Sequence, residues 1–278
     1  MTTSTATRPP GRLLPAPVVA PLERIRAGDA YDANVYSTVD VHWVLYDRVL
    51  RVTPATVDDP DRDRFLLSKG HAVAGYYAVL AAKGFIPVDW LDDAGGPDSR
   101  LGGHPDRTLV PGVEIGSGSL GHGLGLGVGT VLGLRAQGRT TPRVYVLLGD
   151  AELDEGSNHE AIAYAGAAGL AGLTAIVVDN SSASHGWPGG VASRFTVNGW
   201  TAATVDGHDH DALHAALTGH DGHRPHVVVA VDTPRHPAHR PADADRPEQA
   251  GRSEIQAVRP DQPGRSVAGD GPTPGSGK

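Results

Sequence analysis

Two short runs of apolar and β-branched residues each stop at an oxygen-bearing side chain: residues 143–148 run into Gly149-Asp150, and residues 174–178 run into Asp179-Asn180. Between them, residues 157–170 carry helix-forming Glu and Ala, with Gly169 near the end where a helix C-terminus favours glycine. A strand, a helix of that length and a second strand close as a β-α-β unit with parallel strands and a right-handed crossover. Both strand ends then open on one side of the sheet. Asp150 and Asn180 therefore sit at the rim where open α/β sheets take their ligands.

A further unit follows, in which Gly199-Trp200 lead into an expected strand over residues 201–205, a helix over 211–217 and a strand over 227–231. Residues 39–49 and 72–83 read as helices. The expected fold class is α/β, a doubly wound, mostly parallel sheet with helices on both faces. No repeat of 20 to 50 residues is visible. Residues 161–178 are uncharged, yet Gly166, Gly169 and Gly172 interrupt them, so they read as buried helix, turn and strand and not as a membrane span. The glycines at 121, 123, 125, 127 and 129 lack the strand and spacing of a dinucleotide loop and are read as permitting close backbone packing.

Residues 1–20 and 234–278 are rich in Pro, Gly, Arg, Asp and Ser, a composition that cannot bury enough surface to offset chain entropy. The expected organisation is a disordered tail, a domain over 21–233 and a second disordered tail. The net charge of −8 provides no general basic surface, which argues against nucleic acid and anionic membranes as partners. Positive charge is carried almost wholly by Arg, with lysine only at 69, 83 and 278. Zero cysteines excludes disulfides, thiolate metal sites and a cysteine nucleophile. The first residues lack a continuous apolar h-region, so no signal peptide is expected and a cytoplasmic location follows by elimination.

Asp150 and Asn180 are oxygen donors suited to a hard cation, and a magnesium ion held by one carboxylate and one amide oxygen keeps positions open for a diphosphate. Taken singly, an Asp and an Asn at strand ends are more often turn or cap residues. A lone His71 or His104 is likewise more often structural.

The wider pattern resembles a known family. Gly149-Asp150-Ala151-Glu152, Glu155-Gly156, Glu160-Ala161 and Asp179-Asn180 look like the thiamin-diphosphate fingerprint, which ends in Asn about thirty residues after its Gly-Asp-Gly. Leu67-Ser68-Lys69-Gly70-His71-Ala72 resembles the Ser-Lys-Gly-His block of transketolases. Gly102-Gly103-His104-Pro105 and Pro111-Gly112-Val113-Glu114-Ile115 resemble two further blocks, as do Gly118-Ser119-Leu120-Gly121-His122-Gly123 and Val191-Ala192-Ser193-Arg194-Phe195 with Gly199-Trp200. The resemblance runs in order over residues 35–232 and is to the N-terminal, thiamin-diphosphate-binding subunit of a split, two-chain transketolase.

That resemblance implies thiamin diphosphate and Mg2+ as cofactors, with Asp150, Asn180 and the backbone carbonyl of Ser182 on the metal. It implies Gly149 and Ala151 at the phosphates, His71 beside the cofactor and His104 facing the sugar. It sets Gly118, Ser119 and Leu120 against the aminopyrimidine and thiazolium, counts Glu155 among the cofactor-binding residues, and places Glu155 and Glu160 near a subunit interface. The activating glutamate of the family comes from a pyrimidine-binding domain, and residues after 232 are too few and too polar to form one. A C-terminal transketolase subunit is therefore the expected partner, in a heterotetramer with self-association, moving a two-carbon ketol unit from a ketose (phosphate) donor to an aldose acceptor.

The chain departs from the family at several points. A Gly-His-Pro-Gly-Gly loop reads Ala30-Tyr31-Asp32-Ala33-Asn34, the second metal-motif glycine is Ala151, and Asn180 is followed by Ser181-Ser182. Ser184-His185-Gly186 stands for an Ile-Asp-Gly turn, and a Lys-Gly-Lys-Gly segment reads Thr233-Pro234-Arg235-His236-Pro237. These changes suggest a specialised acceptor, as in secondary metabolism. The alternatives are a non-catalytic assembly or regulatory subunit and a 2-oxo-acid dehydrogenase α subunit, which would share the metal fingerprint alone.

Overall fold

The computed structural model describes residues 14–26 and 32–232. Five strands, β1 (Arg64–Leu67), β2 (Val144–Gly149), β3 (Leu173–Asp179), β4 (Thr201–Asp206) and β5 (His226–Val231), form one sheet in the order β1-β2-β3-β5-β4. Every neighbouring pair is parallel. β2, β3 and β5 are apolar along nearly their whole length because both of their faces are covered. β4, at the edge, alternates between half-buried and exposed positions instead.

The pleat sends alternate residues to opposite faces, and each face has its own core. Phe65, Leu67, Tyr145, Leu147, Ile176, Val178, Val228 and Ala230 point to one side. There they meet helices α1 (Ala16–Arg26), α2 (Asp32–Val44), α3 (Val73–Ala82) and, later in the chain, α7 (His210–Thr218). Leu66, Val144, Val146, Leu148, Ala175, Val177, Val227 and Val229 point to the other. That side is covered by α4 (His122–Ala136), α5 (Gly156–Ala167) and α6 (Gly190–Thr196).

Chain punctuation follows local chemistry. After α5, Gly169 adopts φ +55°, and the amides of Gly169 and Leu170 donate to the carbonyls of Gly166 and Ala165. This 5→2 and 6→1 pair satisfies carbonyls that the helix end leaves free. Gly138 ends α4 in the same way, with its amide on Arg135 and that of Arg139 on Leu134.

The α/β expectation holds, with three local differences. The helix expected over 39–49 begins seven residues earlier, at Asp32, and its last turn, Leu45–Val49, is a π-helix. Residues 16–20, expected to close an N-terminal tail, instead open α1, which buries Val18 and, one turn on, Leu22. Pro15, Pro17 and Pro21 in and beside that stretch hid this i, i+4 pair in the composition. The glycine run at 121–129 is mostly helix α4: Gly123 packs under Ser68 and Gly127 under Val146, whereas Gly125 and Gly129 face open space. Residues 1–13 and 233–278, which hold most of the expected tails and the replaced segment at 233–237, lie outside the described residues. So do Ala30 and Tyr31, while residues 32–34 form the first turn of α2.

Candidate active site

Asp150 follows β2 directly and is buried at 2% exposure. Its amide extends the ladder by donating to Val178 O at 3.1 Å. β3 ends beside it at Asp179, and the chain then turns sharply, with Ser181 at φ +59° and its amide on Asp179 Oδ1. The turn carries the next residues back over β2. Ser182 N and Ala183 N donate to Asp150 Oδ2 at 2.7 and 3.0 Å, and Ser182 Oγ donates to Oδ1 at 2.6 Å. A carboxylate has about four acceptor positions. Three are engaged, which leaves one on Oδ1.

At the neighbouring strand end, the amide oxygen Oδ1 of Asn180 is buried and has no hydrogen-bond partner. A buried oxygen left in this way costs about 1–3 kcal/mol unless a ligand meets it. Carboxylate and amide oxygens form a hard, oxygen-only donor set, which fits magnesium. Among the described residues no three His, Asp or Glu side chains converge to hold a metal. An ion here would depend on Asp150, Asn180, a backbone carbonyl and the oxygens of its own ligand.

A second buried carboxylate ties the crevice together. Glu152, 1% exposed, accepts from Ser68 Oγ after β1, from Gly121 N at the start of α4 (3.0 Å) and from Gly149 N at the end of β2 (3.3 Å). Burial pushes its carboxyl above the usual carboxylate range, and those hydrogen bonds pull in the opposite direction. Ser68 Oγ also accepts from Gly123 N at 3.0 Å. Asn158 donates to Glu152 O at 2.6 Å, which fixes α5 to the same turn.

Along the wall beyond β1, His71 and His104 are both exposed, with ring centroids 5.4 Å apart. His71 lies in a 3-10 turn, Gly70–Ala72, that links β1 to α3. His104 is held by its carbonyl, which accepts from Tyr77 Oη at 3.0 Å, and by the bare backbones of Gly70 and Gly118. A Cβ on Gly118 would stand 2.9 Å from His104 Cδ2, and the φ of +134° there already favours glycine. Ser119 and Leu120 follow as exposed loop, and the Ser119 hydroxyl lies 3.5 Å from His122 Nε2.

The structure thus brings His71, His104 and Gly118 into one group and Asp150, Asn180 and Ser182 into another, joined through Ser68, Glu152 and Gly121. Ala151 opens the 3-10 turn after Asp150. Glu155 precedes α5 and packs near Gly121, and Glu160 lies on the exposed side of α5. Ser68, Lys69 and Glu152 lie inside the sequence motifs, which by themselves gave these residues no role. The available signal was the hydroxyl and charge of Ser68-Lys69 directly after an apolar run, whereas Glu152 stands among other acidic residues and carried none. Sequence reasoning also passed over a histidine at the far end of the sheet: the ring of His208 bridges Asp40 Oδ2 (2.8 Å) and Asp232 Oδ1 (2.7 Å), joining α2 to the end of β5.

Residues 22–235 match the family described as transketolase, thiamine diphosphate binding domain. A Rhodococcoides fascians protein named "Ferredoxin fas2" is 53% identical over 212 residues, which are 76% of this chain and 70% of that one. One of the subunits of an apulose-4-phosphate transketolase from Phocaeicola vulgatus is 35% identical over 205 residues, 71% of this chain and 72% of that one. A crystal structure of a transketolase variant from Pichia stipitis superimposes with a TM-score of 0.65 at 27% identity, covering 80% of this chain. This chain spans 37% of that solved transketolase.

Proposed function

The chain belongs to the transketolase family through its thiamine-diphosphate-binding domain, and on that premise we propose that it holds thiamin diphosphate through magnesium as one subunit of a two-chain transketolase. The observation that carries this reading is the unpaired, buried amide oxygen of Asn180 at the strand end beside Asp150. In this reading Asp150, Asn180 Oδ1 and the carbonyl of Ser182 take the metal, and Gly149 and the Ala151 amide adjoin the phosphates. His71 lies against the cofactor, His104 faces the sugar, and Gly118, Ser119 and Leu120 line the ring systems. When bound, thiamin diphosphate supplies the carbanion chemistry for moving a two-carbon ketol unit from a ketose to an aldose.

A second chain with a pyrimidine-binding domain completes the site and brings the activating glutamate, in keeping with relatives whose names mark them as single subunits of a transketolase. The domain takes in the expected residues 21–233 together with residues 16–20 of α1, its reaction belongs to the cytoplasm, and the altered residues at 30–34 and 181–186 suit a specialised sugar acceptor. Iron–sulfur chemistry, suggested by the name of the R. fascians relative, would need thiolate ligands, and these 278 residues contain no cysteine. Among the described residues no helix is long and apolar enough to cross a membrane.

The test is a titration of thiamin diphosphate, with and without magnesium, into the chain mixed with a candidate pyrimidine-binding subunit, followed by a ketol-transfer assay. Magnesium-dependent binding, with transfer only in the mixture, is expected. Transfer by the isolated chain would remove the partner from the proposal. No binding in a verified complex would favour the non-catalytic subunit.

Helix α4 supports the assembly part of this reading. Its inward face buries Leu124, Val128, Val131 and Leu134, and its outward face is also apolar or bare, with Leu126 and Leu132 exposed beside Gly125 and Gly129. Tyr164 is exposed on the adjoining α5. A helix apolar all round is one that is meant to be covered, and a second copy of this chain is the proposed cover. Leu126→Arg is expected to lower the mass found by analytical ultracentrifugation while leaving the circular dichroism unchanged. An unaltered mass would put the contact on another face.

A further inference from the structure

The amino ends of the strands lie a full strand length, about 20 Å, from the carboxyl ends that carry Asp150 and Asn180. There the turn from α4 into β2, with the turns that enter β3 and β5, encloses a second cavity of about 250 Å3 that shares no residue with the crevice. Its apolar floor comes from Val131, Leu134 and Pro142, and Arg135, Arg139 and Arg143 stand around it with the hydroxyl-bearing Thr140 and Thr141. In a chain of net charge −8 these arginines are poorly matched. Asp63 and Glu114, at the same end of the sheet, are taken by Arg51 and Arg62. Arg139 pairs with Asp61, whose side chain is 59% exposed, and an exposed pair contributes little. Among the described residues Arg135 and Arg143 meet no carboxylate: Arg135 donates to Gly169 O at 2.8 Å, and the Arg143 guanidinium lies 3.1 Å from His220 Nε2.

His220 shows that acceptors are short here. A neutral imidazole accepts at one nitrogen and donates from the other. Yet two donors are aimed at this ring, the Gly222 amide at Nδ1 (3.2 Å) and Arg143 at Nε2. Burial, and then the charge of Arg143, push the ring's pKa below its ordinary value, and a proton would only remove its one acceptor. Either tautomer leaves Gly222 or Arg143 unmet, and both of these residues line the cavity. An oxyanion supplies the missing oxygens, since a guanidinium fork matches phosphate in geometry and charge. The apolar floor suits a short carbon skeleton beside it. The volume sets the upper size, because it falls below the roughly 300–1,000 Å3 of ordinary organic-ligand pockets and leaves no room for a nucleotide. We propose that this cavity is a second anion site, binding inorganic phosphate or the phosphate group of an ester of a few carbons between Arg135, Arg139 and Arg143. The site goes beyond the cofactor reading and does not depend on it.

Full-length protein in EDTA, which keeps a metal-dependent crevice silent, is titrated calorimetrically with inorganic phosphate, with glycerol 3-phosphate and with glycerol. Both phosphates are expected to bind and glycerol is not. Tighter binding of glycerol 3-phosphate would identify an ester as the ligand, and equal binding would identify free phosphate. Arg135→Gln and Arg143→Gln are each expected to weaken binding by about 10- to 100-fold, the range for losing one charge-assisted hydrogen bond. Arg100→Gln, at an exposed arginine stacked on Trp90, is the neutral control. Hydrogen exchange on the wild-type protein gives a reading that needs no variant: phosphate is expected to slow exchange at Gly222 and in the turn over 139–143. Where a variant fails to fold, that exchange pattern decides. Binding undiminished in both arginine variants, or binding that leaves those amides unprotected, would put the anion elsewhere and overturn the proposal. Absence of binding at millimolar phosphate would overturn it as well, and none of these results bears on the cofactor reading.

Discussion

Asp150→Asn is expected to remove the magnesium dependence of thiamin diphosphate binding and to weaken that binding by at least about 100-fold, the upper end of what disturbing a metal's supporting groups costs. Asp150 brings the one carboxylate to the proposed ion, next to a neutral amide and a backbone carbonyl. Replacing it with an amide removes the negative charge while keeping nearly the same shape. The substitution also reaches the loop. Ser182 N and Ala183 N both donate to Oδ2, and an Asn either faces them with its NH2 group or turns that group toward Ser182 Oγ. Calorimetric titration of magnesium at saturating thiamin diphosphate gives the readout, with circular dichroism to verify the fold. Unchanged magnesium dependence would put the ion elsewhere and return Asp150 to the role of a loop anchor.

Glu152 offers the largest expected effect on stability. Glu152→Ala leaves the Ser68 hydroxyl and the amides of Gly121 and Gly149 without their buried acceptor. Each such group costs about 1–3 kcal/mol, and relief of a buried charge returns part of the total, so a loss of roughly 3–5 kcal/mol is expected in urea unfolding. Glu152→Gln keeps an acceptor and most of the stability. The pH dependence separates the two further. Burial raises the folded carboxyl above its ordinary value of 4.5, so the folded state retains a proton that the unfolded chain has released. That contribution is full below the unfolded value and is lost as pH rises through the folded one. Wild-type protein should therefore lose stability relative to Glu152→Gln as pH is raised from about 4.5 toward neutrality. A constant difference between the two proteins would mean that the buried carboxylate carries no such shift, and an unharmed Glu152→Ala would mean that it is not the hub of the crevice.

Both predictions concern residues only a few positions apart, yet the sequence marked Asp150 as a candidate ligand and gave Glu152 no role. Asp150 and Asn180 each close a run of β-branched residues, and the strand period with a helix between them is enough to put both at one sheet edge. Glu152 acquires its meaning from Ser68, 84 residues away, and from Gly121, 31 residues away. Lys69 was visible as one of three lysines, but that its buried ammonium has no hydrogen-bond partner is a statement about every atom around it. Helix α4 escaped because its glycines lower local helix propensity. It forms through packing on the sheet, where Gly127 admits Val146. β1 escaped because four residues are too few to show a period.

Short-range patterning was thus sufficient for the α/β class, for the parallel β2-α5-β3 unit and for the two oxygen donors at its rim, since each depends on neighbours within one element or one crossover. The motif resemblance extended this to a family and its cofactor. Tertiary structure alone decided which partners each of the two buried carboxylates takes, that His104 rests on two glycines from separate loops, and that Lys69 and Asn180 each keep a buried polar atom without a partner. Burial and hydrogen-bond satisfaction are properties of a whole packed neighbourhood, assembled from segments far apart in the chain, and no local window contains them.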